Sequence, residues 1–141
     1  MMMTYRTVYV ASIALGANYL QAITAMREAE SYAGPSLVIA YCPCIAHGIR
    51  KGMSHSIIEE RQAVETGYWP LYRFDPRLEA QGKNPLTIDS PSPQTSGLVD
   101  FINGENRYAD LRMVDPAEAA ILQPDLSQRC ALLHSLLTKQ P

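Results

Sequence analysis

Two thiols and an imidazole fall within one short run, Cys42-Pro43-Cys44-Ile45-Ala46-His47, which closes on Gly48. Thiolate and imidazole are metal ligands, and a thiolate is also a nucleophile. With one residue between them, the two sulfurs share a face wherever the chain is extended. They are then too close to form a disulfide with each other without strain. Three donors packed so tightly make a poor zinc tetrahedron unless a fourth arrives from elsewhere. Redox pairs usually hold two residues between their cysteines, so a thioredoxin-like role is a weak match. An iron–sulfur cluster takes four thiolates and the chain has three cysteines, so any cluster here must borrow ligands. The plainer alternatives are that Cys42 and Cys44 are inert buried cysteines and that His47 bonds a backbone carbonyl at the turn.

The elements that must position these groups follow from pattern. Residues 35–41, Pro-Ser-Leu-Val-Ile-Ala-Tyr, form an apolar, β-branched run between turn formers and predict a buried strand ending at the cysteines. Ligands gather at that C-terminal edge in open α/β sheets. Residues 5–15, with Val8, Tyr9, Val10 and Ile13, predict an earlier strand. Between them Asn18 can cap a helix over 19–32 whose apolar side is Leu20, Ile23, Met26 and Ala29, with Gln21, Arg27 and Glu28 toward solvent. Strand, helix, strand is a βαβ unit with parallel strands and a right-handed crossover. Two parallel strands need further neighbours. The remainder of the sequence offers none clearly, so the chain reads as the C-terminal part of a larger α/β domain.

Downstream, Ser56 and Glu59 have capping-box spacing for a helix with Ile57, Ile58, Ala63 and Val64 inward, ending at Gly67. Tyr68, Trp69, Tyr72 and Phe74 read as core filling, and Pro70 limits any strand here to an edge. Residues 77–97 are polar and turn-rich, as expected of a surface loop. Short helices are expected near Phe101–Ile102 and near Tyr108 and Leu111. Asp115-Pro116-Ala117-Glu118 has the signature of a helix start. Pro124 is expected to interrupt that helix before a last amphipathic segment over 125–138. Cys130, in its leucine-rich surroundings, reads as a small buried hydrophobe. Arg50 and Lys51 suit a solvated loop or an anionic partner, and nothing near His55 or His134 suggests catalysis.

The chain has 141 residues, 47% apolar and 18% charged, with a net charge of -2. That is enough for one modest globular domain, and it provides no basic field for nucleic acid or an anionic membrane. No apolar run approaches the roughly 20 residues of a membrane span, and the N-terminal residues lack a signal-peptide layout. A cytoplasmic location is the expectation. Three cysteines in that compartment argue against a disulfide framework.

Several blocks together carry a resemblance: Val8-Tyr-Val-Ala-Ser12, Gly16-Ala-Asn18, Arg27-Glu-Ala-Glu-Ser-Tyr32, Gly34-Pro-Ser-Leu-Val-Ile-Ala-Tyr41, Pro43-Cys-Ile-Ala-His-Gly48 and Gly67-Tyr-Trp-Pro-Leu-Tyr-Arg73. From about residue 3 to 112 the chain resembles the pyruvate:ferredoxin (flavodoxin) oxidoreductase family, at the C-terminal end of its thiamine-diphosphate-binding domain. The resemblance implies an α/β fold with a partial thiamine-diphosphate-binding unit in residues 1–75 and a helical, loop-rich extension in 76–141. It implies a part in the oxidative decarboxylation of pyruvate with coenzyme A, with electrons leaving through iron–sulfur clusters to ferredoxin or flavodoxin. By the matched block, Cys44 is one ligand of a 4Fe-4S cluster, and Cys42 stands where the family usually has a small residue. The family's GDG thiamine and magnesium motif is absent from this sequence, as are the cluster's other cysteines. The isolated chain is therefore expected to be inactive, either as a split subunit assembling with the remainder of the polypeptide or as a truncated remnant. The rival is a non-catalytic α/β module whose cysteines are structural or bind zinc.

Overall fold

A computed structural model describes residues 1–139. The chain is mixed α/β: a four-stranded sheet with one parallel pair, followed by helices. A 3-10 turn (Met2–Tyr5) leads into β1 (Tyr9–Ile13). Helix α1 (Tyr19–Ser31) then crosses to β2 (Ser36–Ala40), which pairs parallel to β1 from Tyr9↔Ser36 to Ile13↔Ala40. The expected βαβ unit is present, and Asn18 caps α1 by accepting from the Gln21 N–H at 3.0 Å. Both strands are shorter than the apolar runs that predicted them.

The sheet finds the neighbours that the sequence did not reveal. β3 (Tyr72–Phe74) pairs antiparallel to β1, and β4 (Leu86–Ile88) pairs antiparallel to β3, giving the order β2-β1-β3-β4. Pro70 therefore does not confine this segment to an edge; it lies two residues before β3, where no ladder amide is lost. The polar stretch 77–97 is likewise not all loop. It contains a 3-10 turn (Pro76–Gln81) as well as β4, whose three residues were too few to show an alternating pattern.

Two expectations about burial are reversed. β2 is an exposed edge strand with only Val38 partly covered. Helix α1 turns Ala22, Ala25 and Gln21 toward the sheet and leaves Leu20, Ile23 and Met26 exposed. The cause is polar. Arg73 of β3 faces the helix and binds Glu28 at 2.6 Å and Asp89 at 2.8 Å, while Tyr9 donates to Glu28 at 2.8 Å. The Gln21 amide donates to the Ser12 carbonyl and to Asp89. Gln21 and Glu28 satisfy those groups, and alanines allow the close approach that such short bonds require.

Helix α2 (Ser56–Glu65) buries Ala63 and Val64 but exposes Ile57 and Ile58. Its Ser56 side chain makes no cap, and Glu59 is buried instead of closing a capping box. Short helices α3 (Leu98–Gly104) and α4 (Asn106–Val114) stand on either side of Glu105, near the expected places. Asp115 caps α5 (Pro116–Thr138) through the Glu118 N–H at 3.0 Å. Pro124 does not interrupt α5, which runs unbroken through it. Tyr68, Trp69, Leu71, Leu98 and Phe101 form the main core with Cys130, which is buried as expected.

The reversal on α1 gives a direct test by urea unfolding. Ala25→Leu should cost about 1–3 kcal/mol by overpacking the α1–β1 contact. Ile23→Ala, at a side chain 44% exposed, should stay within about 0.5 kcal/mol of the parent.

Candidate metal-ligand turn at the sheet edge

β2 ends at Ala40, and Tyr41 continues the ladder by one bond, donating its N–H to the Ile13 carbonyl at 3.0 Å. The chain then leaves the sheet. Pro43 is fully buried, Cys42 is exposed, and Cys44 is partly exposed. Burying the ring between them anchors the bend and places the two sulfurs in different surroundings. Cys42 Sγ lies 3.5 Å from the Pro43 carbonyl oxygen. From Cys44 the backbone closes a tight turn, the Gly48 N–H donating to the Cys44 carbonyl at 2.8 Å. Gly48 sits at φ +75°, a conformation that favours glycine.

Inside this turn Cys44 Sγ is 3.1 Å from His47 Nδ1. The His47 side chain, then the His47 and Ala46 backbone N–H groups, hold the Cys44 thiol down to about 7. Each stabilises negative charge on sulfur, the form that acts as ligand or nucleophile. The structure therefore joins Cys44 to His47, and separates Cys42 from both. Among the described residues, no group of three or more His, Cys, Asp or Glu side chains is placed to hold a metal ion. Cys130 is in the core against α5, and burial raises its thiol.

What holds the turn was not legible in the sequence. Glu105, 1% exposed, reaches both of its ends. Its carboxylate accepts from the Tyr41 hydroxyl before the turn, and its backbone bridges Ile49 after it. The Asn106 side chain donates to the His47 carbonyl at 2.8 Å, and the Arg50 N–H donates to the Gly104 carbonyl at 2.9 Å. Arg107 Nε lies 2.5 Å from the second Glu105 oxygen, an ionic contact although neither atom has a hydrogen-bond partner. Tyr41 is itself wedged against Trp69 and Tyr68, with ring centroids 5.5 and 6.2 Å away. Burial, and then the Glu105 carboxylate, push the Tyr41 hydroxyl well above its ordinary range, so it stays a donor. A charged residue 64 positions from its partner leaves no local signal.

Nearby, Glu59 is buried with one oxygen unpaired; burial, then Glu105, raise its carboxyl. An apolar cleft of about 370 Å³ between α4 and α5, lined by Ile102, Tyr108, Leu122 and Leu126 among others, includes none of Cys42, Cys44 and His47. No helix among the described residues is long and apolar enough to cross a membrane.

Comparison with known proteins gives close relatives. The chain is 51% identical over 119 residues to the pyruvate:ferredoxin oxidoreductase of Moorella thermoacetica, covering 84% of this chain and 10% of that protein. It is 50% identical over 116 residues to the pyruvate-flavodoxin oxidoreductase of Klebsiella pneumoniae, covering 82% of this chain and 10% of that protein. It is 46% identical over 127 residues to the mitochondrial pyruvate dehydrogenase [NADP(+)] of Euglena gracilis, covering 90% of this chain and 7% of that protein. The chain thus spans about a tenth or less of these relatives' length. No protein-family model matches it.

Two outcomes are expected. In a Cys42→Ser background, iodoacetamide alkylation of Cys44 should rise with a midpoint near pH 7, and His47→Ala should move that midpoint upward. Tyr41→Phe should lower unfolding free energy by about 1–3 kcal/mol, because a buried carboxylate oxygen loses its donor.

Proposed function

Because the chain belongs to the pyruvate:ferredoxin (flavodoxin) oxidoreductase family, we propose that it works as one segment of such an enzyme and contributes Cys44 as a ligand to a shared 4Fe-4S cluster. The complete enzyme would decarboxylate pyruvate oxidatively with coenzyme A and pass electrons to ferredoxin or flavodoxin. Its setting would be the cytoplasm. The observation that carries the proposal is the Cys44 thiol, poised toward thiolate at the C-terminal edge of the parallel pair by His47 and two backbone N–H groups.

The donor set fits a cluster ligand in kind and falls short in number. A bound cluster would supply one-electron acceptance, with hydrogen bonds to its sulfurs tuning the potential. The part of this chain is to fix one sulfur: Pro43 and Gly48 shape the turn, Glu105 clasps its ends, and His47 disfavours the protonated thiol. Cys42 takes no part. Its sulfur, exposed and directed to the Pro43 carbonyl, is separate from the Cys44–His47 pair. Thiamine diphosphate and magnesium do not fit this chain, whose sequence has no GDG motif. Their site, and the remaining cluster ligands, would lie in the rest of the oxidoreductase, and the chain alone would be inactive.

Anaerobic iron–sulfur reconstitution tests this with the Moorella thermoacetica enzyme from which the matching segment has been deleted. Cluster absorbance should appear fully only when this chain is added. It should be lost with Cys44→Ser and kept with Cys42→Ser. Equal loss in both variants would refute the assignment, as would stoichiometric zinc and no iron on the chain alone.

A further inference from the structure

Helix α2 buries a carboxyl group that takes no part in clasping the turn. Glu59 is 3% exposed, and no described residue offers its Oε1 a hydrogen bond. The carboxyl lies against Gly104, the last residue of α3. A Cβ added to Gly104 would stand 3.1 Å from Glu59 Oε1, so the two elements meet there with no room to spare. Gly104 is also an anchor, because its carbonyl accepts the Arg50 N–H at 2.9 Å. Two residues on, the Asn106 N–H donates to the Gly48 carbonyl at 3.3 Å. These bonds close the far end of the Cys44 turn, and Glu59 packs directly on the residue that makes the shorter of them.

Charge in this region does not balance if both glutamates are ionised. Glu105 is satisfied: Arg107 lies 2.5 Å from one oxygen, and the Tyr41 hydroxyl donates to the other. Glu59 has no such partner. The positive groups that act on it are Lys51, exposed in the loop before α2, and His55, half-buried at the end of the 3-10 turn Met53–His55. Neither makes an ion pair with it. A buried carboxylate without a partner is far more costly than a neutral carboxyl group. The proton therefore belongs on Glu59. Burial, and then the charge of Glu105, raise its carboxyl accordingly.

We propose that Glu59 is a protonation switch on the anchor of this turn. Neutral, it packs in the α2–α3 contact against Gly104; ionised, it leaves that contact for solvent and frees the Gly48–Arg50 end of the turn. The direction follows from linkage. A carboxyl raised in the folded state favours the closed form fully below its unfolded range, about 4.3 for glutamate. That contribution is lost as pH rises through the folded value. The turn is therefore held most firmly in acid and loosens toward alkaline pH. The switch belongs to this chain and does not depend on what Cys44 binds.

Residue-resolved hydrogen exchange of the full chain across pH tests this. The Arg50 and Asn106 amides report the anchor, and the Tyr9 amide, bonded to the Pro35 carbonyl, reports the sheet. Corrected for intrinsic exchange, protection of Arg50 and Asn106 should fall at least about tenfold as the Glu59 carboxyl carbon signal titrates, while Tyr9 stays protected. Glu59→Gln, neutral and of the same shape, should keep both anchor amides protected throughout. Lys51→Met, which removes a cation that favours the ionised form, should move the midpoint upward. A fall in protection that survives in Glu59→Gln would overturn the switch by assigning it to another group, His55 first among them. So would a Glu59 carboxyl that titrates in the ordinary glutamate range, or a parallel loss at Tyr9. If Glu59→Gln does not fold, the Lys51→Met chain decides: an unmoved midpoint overturns the proposal.

Discussion

A single buried carboxylate governs this structure. Glu105 ends α3, begins α4, accepts from Tyr41 with its side chain and bridges Ile49 with its backbone. Tyr41 and Ile49 bound the segment that contains Cys44. A loop fixed at both ends by one residue has little freedom, and its closure cost is met by packing in the helical region instead of by the loop itself. The arrangement is demanding because a buried charge is tolerated only when it is paired and hydrogen-bonded. Arg107 supplies the charge, and the aromatic group around Tyr68 and Trp69 holds the tyrosine in place. Through Glu105 the C-terminal helices position a thiol that belongs to the βαβ unit.

The same geometry explains why the two cysteines differ. They are separated by one residue, but that residue is a fully buried proline. Cys42 is left outside the turn, whereas Cys44 begins it and faces the N–H groups that the turn turns inward. The electrostatics of Cys44 therefore come from backbone shape as much as from His47. The bond network continues from this turn into β2, so the strand that presents the thiol is also the strand with the open edge.

Much of the local architecture was legible in the sequence. Asn18 and Asp115 act as caps because their side chains reach the third following amide whatever the tertiary setting. The βαβ connection and the turn at Gly67 are equally local. The failures share a cause in long-range partners. Leu20, Ile23 and Met26 look like a core face until Arg73, 45 residues from Glu28, claims the polar side of α1. Pro124 looks like a break, yet packing of Leu126 and Cys130 on the core keeps α5 continuous through it. β4 has three residues and exists because β3 offers it an edge. The block around Cys44 could be picked out by its resemblance to a family motif, but its support by Glu105 and Asn106 could not.

Cys44, and not Cys42, is the sulfur we propose that this chain gives to a shared cluster. Cysteine-resolved alkylation with mass spectrometry tests it most directly. It would be applied to the anaerobic, iron-loaded assembly with the rest of the oxidoreductase and to the free chain. Cys44 should alkylate in the free chain and be protected in the assembly, while Cys42 should remain reactive in both. Cys44 alkylating at the same rate in an iron-loaded assembly as in the free chain would contradict it.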